Sequence, residues 1–294
     1  MILLISGTIF FFPEFFKIQN FINQKDISVN KDLLPDLYPY PVAMDNFQNA
    51  PQISAKSAVA VDVKSGIILF EKNSKIRLLP ASTTKLMTAL VSLERCNPNQ
   101  AVTVTFVEKE PTSMGLELGD IVSVKSLLYG LLVASGNDAA AALAYACSST
   151  ISEFVKEMNA KALELGLLNT HFANPAGFDD PAQYTTSYDL ARLARVAVAN
   201  PLISKIVSTK STVVTDAAQS KTYYLENINK LLGDVAGIEG IKTGQTEGSQ
   251  EVLVTQTTRD SHTIITVVLG STDRFKDSKS LIEWAFANHT WINP

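Results

Sequence analysis

Strand-like segments stand at both ends of the main body of the chain and helical ones fill its middle. That order constrains the fold more than any other feature. Near the start, residues 57–62 (Ser-Ala-Val-Ala-Val-Asp) form a short β-type run and Ser65-Gly66 signals a turn. Ile67, Ile68, Leu69 and Phe70 then resume β character, so the pair reads as a hairpin. A helical pattern follows, with Leu86, Met87, Leu90 and Val91 at spacings of three and four, closed by Pro98. Residues 120–134 carry Leu127, Leu128, Leu131 and Leu132 on one broad face. Residues 138–146 are Ala-rich and apolar nearly all round, the pattern of a buried helix. Helical periodicity returns over 152–165 and 187–199, on either side of a Pro-, Gly- and Asp-rich loop at 174–184. The last third reverts to β: 209–215 and 221–225 as a pair, then 237–244, 252–257 and 263–269, before a closing helix at 279–287. This order predicts an α+β domain with the terminal helix packed on the sheet.

Composition excludes several classes. Of the 294 residues 46% are hydrophobic and 18% charged, too apolar for a wholly disordered chain. Lys plus Arg number 25 against 29 Asp plus Glu, a net charge of −4, which leaves no electrostatic footprint for nucleic acid. Cys96 and Cys147 form no Cys-x-x-Cys, and with three histidines they make no structural zinc cluster. They read as two small buried apolar residues, with a single disulfide left open. No metal or cofactor is called for.

The first 52 residues read differently. Residues 1–22 hold six of the 14 Phe and read as a hydrophobic signal or anchor-like segment. The apolar run 2–12 has about the length of a signal-peptide core, yet no Lys or Arg precedes it and no Ala-x-Ala follows. It is shorter than the roughly 20 residues that span a bilayer. The competing reading is a hydrophobic arm packed on the domain. Residues 23–52, with Pro35, Pro39, Pro41 and Pro51, read as a linker or extended wrap, leaving 53–290 as the main domain.

Three short motifs carry chemistry. Ser82-Thr83-Thr84-Lys85 sets a serine and a lysine three apart at a helix start, on one face. A hydroxyl does not ionise at neutral pH and needs a neighbouring base, which a desolvated lysine supplies. Ser135-Gly136-Asn137 is a polar trio between two apolar helices. Its hydroxyl can relay a proton; its amide can accept from a lysine and donate to a substrate carbonyl. Lys242-Thr243-Gly244 lies on a strand, where Gly244 lets a ligand backbone approach. Taken singly, each also fits a helix cap, a turn or an exposed strand end.

Ser-x-x-Lys, Ser-x-Asn and Lys-Thr-Gly occur in the order found in penicillin-binding proteins and serine β-lactamases. From about Ile53 to Ala287 the chain resembles the serine-type D-alanyl-D-alanine carboxypeptidases of the S11 peptidase family, the low-molecular-mass penicillin-binding proteins. The resemblance is carried by Pro80 to Leu90, Tyr129 to Ala140, Phe154 to Asn159, Leu165-Gly166 and Asn169 to Phe172. It implies the serine β-lactamase/transpeptidase fold: an antiparallel sheet of N- and C-terminal strands with a mostly helical subdomain inserted between them. It also implies an extracytoplasmic bacterial enzyme acting on peptidoglycan stem peptides and inhibited covalently by β-lactam antibiotics.

By this resemblance Ser82 is the nucleophile that forms an acyl ester, Lys85 its proton acceptor, Ser135 a proton relay and Asn137 an orienting amide. Lys242 and Thr243 would hold the terminal carboxylate beside Gly244. The N–H groups of Ser82 and Gln245 would form the oxyanion hole, and Thr246 would line the same edge. His171, Asp138 and Asp189 are expected to be structural. Some positions depart from the family pattern: Ser249-Gln250 stands where Ala-Gly is usual, Val252 where Cys or Ser follows, and Ala176 in the His place of Asn-Pro-His-Gly. The second β-rich domain and C-terminal anchor of many relatives are not expected before Pro294, so membrane attachment would come from the amino end. A class A β-lactamase would need Glu-x-x-Leu-Asn between Asn137 and Lys242, and none is there. Two rival activities stay open on the motifs: a D-alanyl endopeptidase that cuts crosslinks, and a catalytically inactive wall-binding protein.

Overall fold

The computed structural model describes residues 39–45, 49–108 and 111–293. The expected signal-like segment 1–22 and most of the linker 23–52 lie outside the described residues.

Five antiparallel strands form the central sheet, in the order β3 (Ile68–Lys72), β2 (Ser57–Asp62), β10 (His262–Ser271), β9 (Gln250–Arg259), β8 (Ile238–Thr246). Strands from the two ends of the domain therefore meet at the β2–β10 pairing, and β8 is left as an edge. Alternation along the strands sorts side chains onto two faces. Val59, Val252, Val254, Ile265 and Val267 join the core of the helical side. Ala58, Ala60, Leu253, Ile264 and Val268 pack with Leu281, Ile282 and Trp284 of the closing helix. The sheet is buried on both sides, as the near-continuous apolar texture of β10 requires.

The helical side holds α1 (Lys85–Arg95), α2 (Val124–Leu132), α3 (Asn137–Ser148), α4 (Ile151–Glu164), α5 (Ser187–Ala199) and α6 (Pro201–Val207); α7 (Arg274–Asn288) closes the chain on the opposite face. Five of the seven starts have a side-chain cap. Ser123, Thr150, Thr186 and Asp273 accept from the backbone N–H three residues on, capping α2, α4, α5 and α7, and Asn200 caps α6 ahead of Pro201. The Asp273 cap makes α7 five residues longer at its start than the apolar pattern alone suggests.

Other differences from the sequence expectations have similar reasons. The segment read as helix from 120 opens instead with β5 (Ile121–Ser123), paired with β4 (Ala101–Thr103), and turns helical only after the Ser123 cap. Within the segment read as linker, Tyr40–Ala43 forms β1 and pairs antiparallel with β11 (His289–Ile292), so the fold reaches beyond 53–290 at both ends. The hairpin β6 (Ser211–Thr215) and β7 (Thr222–Glu226) forms its own two-stranded sheet.

Cys96 and Cys147 are not two free apolar residues but a disulfide with Cα atoms 5.6 Å apart. A separation of 51 residues gives no hint of pairing. It arises because α1 and α3 run in the same direction and end side by side.

Candidate active site

A 3₁₀ turn, Ala81–Thr84, precedes α1 and presents Ser82. Ala81 adopts the left-handed conformation (φ +48°), which L-residues with a side chain enter at a cost. Thr83 Oγ1 donates to Pro80 O at 2.6 Å and holds the turn. One turn on, Lys85 is fully buried. Its Nζ lies 2.9 Å from Ser82 Oγ, 2.8 Å from Asn137 Oδ1 and 2.8 Å from Ala176 O. Burial holds the amine well below the ordinary lysine range, with the charge of Lys242 adding to the shift and that of Asp138 opposing it. A neutral amine has two N–H donors and one lone pair. Asn137 Oδ1 and the Ala176 carbonyl only accept, so they take the two N–H groups, and the lone pair is left for the Ser82 hydroxyl proton.

The second motif sits where α2 gives way to α3. Ser135 is also left-handed (φ +59°), and its hydroxyl lies 2.9 Å from Lys242 Nζ. Asn137 N donates to Thr112 O at 2.9 Å, and Thr112 Oγ1 donates to Ser135 O at 2.7 Å, fixing the trio to the preceding loop. Asp138 acts as a structural acid in the first turn of α3. Its carboxylate accepts from Ser113 Oγ and from the N–H groups of Met114, Gly115 and Leu116.

The third motif lies on the edge strand β8. Lys242 is 2% exposed, and burial, with Arg274 nearby, lowers it to about 7. Besides Ser135 it donates to Thr243 O at 3.0 Å. At Gly244 a Cβ would meet Ala81 Cβ and Ser82 N, each at 2.8 Å, so only glycine lets the strand come this close to the Ser82 N–H. Gly177 makes the matching approach on the other side. Its φ is +93° and a Cβ there would lie 2.0 Å from Ala81 O.

Ser82, Ser135, Asn137, Thr243, Gly244, Gln245 and Thr246 thus line one cleft, with Phe178, Ile228 and Arg274 among its other walls. The Nζ atoms of Lys85 and Lys242 reach it from beneath, through Ser82 and Ser135. Every residue singled out in the three motifs and the strand that follows is brought together. His171 is held elsewhere, its Nδ1 2.7 Å from Ala182 O and its ring stacked on Tyr184, and Asp189 accepts from Asn169 N and Thr170 Oγ1.

Two features escaped sequence reasoning. The Ala176 carbonyl is the third partner of Lys85, and a backbone group has no residue-type signal; the substitution in the Asn174-Pro175-Ala176-Gly177 loop leaves it in place. Arg274 donates through Nη1 to Gly244 O at 2.9 Å, and its Nε is buried without a partner. A lone arginine at a helix start carries no pattern of its own.

The profile of the S11 peptidases, D-alanyl-D-alanine carboxypeptidases, matches residues 44–273. The chain is 35% identical over 245 residues to the D-alanyl-D-alanine carboxypeptidase DacF of Bacillus subtilis, covering 80% of this chain but 63% of that protein. It is 35% identical over 258 residues to the D-alanyl-D-alanine carboxypeptidase of a Streptomyces species (strain K15), covering 81% of this chain and 89% of the relative. Its fold superposes on the crystal structure of the Streptomyces K15 DD-transpeptidase with a TM-score of 0.77 at 33% identity, over 82% of this chain and all of that one. A penicillin-binding protein homolog from Mycobacterium tuberculosis superposes with a TM-score of 0.78 at 28% identity, over 86% of this chain and 99% of that one. Profile, relatives and fold agree with the three motifs: the chain belongs to the S11 peptidase family of D-alanyl-D-alanine carboxypeptidases.

Proposed function

We propose that the protein hydrolyses the terminal D-alanyl-D-alanine bond of peptidoglycan stem peptides through an acyl-enzyme on Ser82. The observation that carries this reading is the buried Lys85 amine 2.9 Å from Ser82 Oγ, its two N–H groups matched by obligate acceptors. Ser82 Oγ attacks the carbonyl carbon and its proton passes to Lys85 Nζ. Charge developing on the carbonyl oxygen is met by the N–H groups of Ser82 and Gln245, and one such donor is worth about 3–4 kcal/mol of transition-state stabilisation. Ser135, hydrogen-bonded to Lys242, relays a proton to the leaving amine, and D-alanine departs. Asn137 orients Lys85 and the substrate amide. Water then hydrolyses the ester. Lys242, Thr243 and Arg274 supply positive potential and hydrogen bonds to the terminal carboxylate, while Gly244 and Thr246 shape the strand edge along which the peptide lies.

β-Lactams, which present a strained amide and a carboxylate in the same relation, enter this site as acylating inhibitors. The Cys96–Cys147 disulfide supports an oxidising, extracytoplasmic compartment. No helix among the described residues is long and apolar enough to cross a membrane; attachment through residues 1–22 is the proposed route to a membrane surface, with the catalytic domain beginning by Tyr40, where β1 pairs with β11.

Intact-protein mass spectrometry after benzylpenicillin treatment tests the reading. One covalent adduct is expected on the folded protein and none on Ser82→Ala, together with release of D-alanine from a stem pentapeptide by the unmodified enzyme. Folded wild-type protein that takes up no penicillin and releases no D-alanine refutes it.

A further inference from the structure

The loop 174–184 and the β8–β9 turn face each other across one end of the cleft, and a single carboxylate joins them. Asp179 Oδ1 accepts from Thr246 Oγ1 at 2.6 Å, and Asp179 Oδ2 accepts from Gly248 N at 2.9 Å. Thr246 is the residue after Gln245, and its hydroxyl and N–H also engage Ser249 Oγ at 2.7 and 3.0 Å. On the other side the loop is anchored independently of this contact. Thr88 Oγ1 of α1 donates to Pro175 O at 2.6 Å, and Lys85 Nζ donates to Ala176 O at 2.8 Å. The loop is therefore a fixed post on α1, whereas β8, an edge strand, has a strand neighbour on one side only.

We infer that Asp179 is a positioning residue that sets the width of the cleft, tying the end of β8 to the loop fixed on α1 and so holding the Gln245 edge against Ser82. The inference rests on the acyl-enzyme reading above. The distance it controls matters in the transition state, where the carbonyl oxygen becomes charged and needs both N–H donors in place. Misplacing one wall of such a site by an ångström lowers rate far more than ground-state binding. At Gly248 a Cβ would lie 2.9 Å from Asp179 Oδ2 and 2.7 Å from Leu79 Cδ1, so glycine leaves the carboxylate room to sit against the turn.

Three full-length proteins, wild type, Asp179→Ala and Asp179→Asn, are compared by stopped-flow acylation with a chromogenic penicillin and by hydrogen exchange. Asp179→Ala is expected to lower the acylation rate constant about tenfold, with the pre-equilibrium binding constant and the thermal midpoint unchanged. Asp179→Asn keeps an acceptor for Gly248 N–H and offers its amide to Thr246 Oγ1, so it retains most of the rate. Backbone exchange at Gly248 and Ser249 rises in the alanine variant and not in the asparagine variant. An alanine variant that acylates at the wild-type rate, or that loses binding and thermal stability in step with rate, overturns the inference. Should wild type itself resist acylation, the proposed function fails, and the exchange data alone then decide whether the carboxylate holds the turn: unchanged exchange in the alanine variant ends the inference, and raised exchange upholds the clasp.

Discussion

Replacing Lys242 by methionine should make the protein more stable and less active. Lys242 is 2% exposed, and its amine is lowered from 10.5 to about 7, first by burial and then by Arg274. A lysine whose folded value lies below its unfolded value binds fewer protons folded than unfolded between the two. The contribution of Lys242 to stability therefore rises with pH from about 7 to about 10.5, and below that window the folded chain carries the whole penalty of this buried charge. A difference of 10.5 − 7 = 3.5 corresponds to about 5 kcal/mol. Methionine fills a similar volume without charge and forfeits the bonds to Ser135 Oγ and Thr243 O, together about 1–3 kcal/mol. The net expectation at neutral pH is a gain of about 2–4 kcal/mol, shrinking by about 3 kcal/mol near pH 9.5, where wild-type Lys242 is neutral when folded.

Urea denaturation of both proteins at the two pH values measures this, and the difference between them cancels the other titrating groups in the first instance. Acylation should fall, because the carboxylate loses a cation. Its pH dependence should also move: the charge of Lys242 helps to lower Lys85, so without it Lys85 keeps its proton to higher pH and the residual rate is lost at a higher pH on acidification. A variant less stable than wild type at neutral pH, or a stability difference that stays flat with pH, refutes the assignment of Lys242 as a buried amine held near neutrality.

Gly177→Ala would place a Cβ 2.0 Å from Ala81 O and 2.9 Å from Ser82 N in a left-handed backbone, so the turn under the nucleophile must move. Penicillin acylation should drop about a hundredfold, and a wild-type adduct rate would show that the turn has room to spare. Reducing the Cys96–Cys147 disulfide, which spans 51 residues, should remove up to about 4 kcal/mol of stability. Urea midpoints with and without dithiothreitol measure it, and identical midpoints would exclude a stabilising crosslink.

The sequence was most legible where chemistry and periodicity coincide. Ser187–Ala199 stands in the structure over the residues its pattern marks, because the Thr186 cap and the apolar face agree. The three motifs converge because each lies at an element end: the start of α1, the α2–α3 junction and the edge strand β8. What could not be read is what depends on distant partners. The β1–β11 pair is local in neither segment; Tyr40 meets Ile292 across the length of the chain. Pro41 within β1 also argues against a central strand, and the structure places it in a two-stranded edge ribbon. The Ala176 carbonyl became a partner of Lys85 only through the fold of a loop whose side chains look ordinary. Asp179 likewise acts through contacts made 67 and 69 residues further along the chain.

The disulfide joins the two helices that hold Lys85 and Asn137. Helix α1 starts at Lys85 and is followed at once by Cys96; α3 starts at Asn137 and carries Cys147 in its last turn. From site to sulfur the two paths are 11 and 10 residues, about 16 and 15 Å at the helical rise. The helices run the same way over nearly equal lengths, with the Lys85–Asn137 hydrogen bond at one end and the covalent bond at the other. Sliding one helix along the other by a single residue would break the first contact and strain the second. Burying Lys85 penalises its charged form, and the crosslink ties the far ends of the two helices that carry Lys85 and its acceptor Asn137.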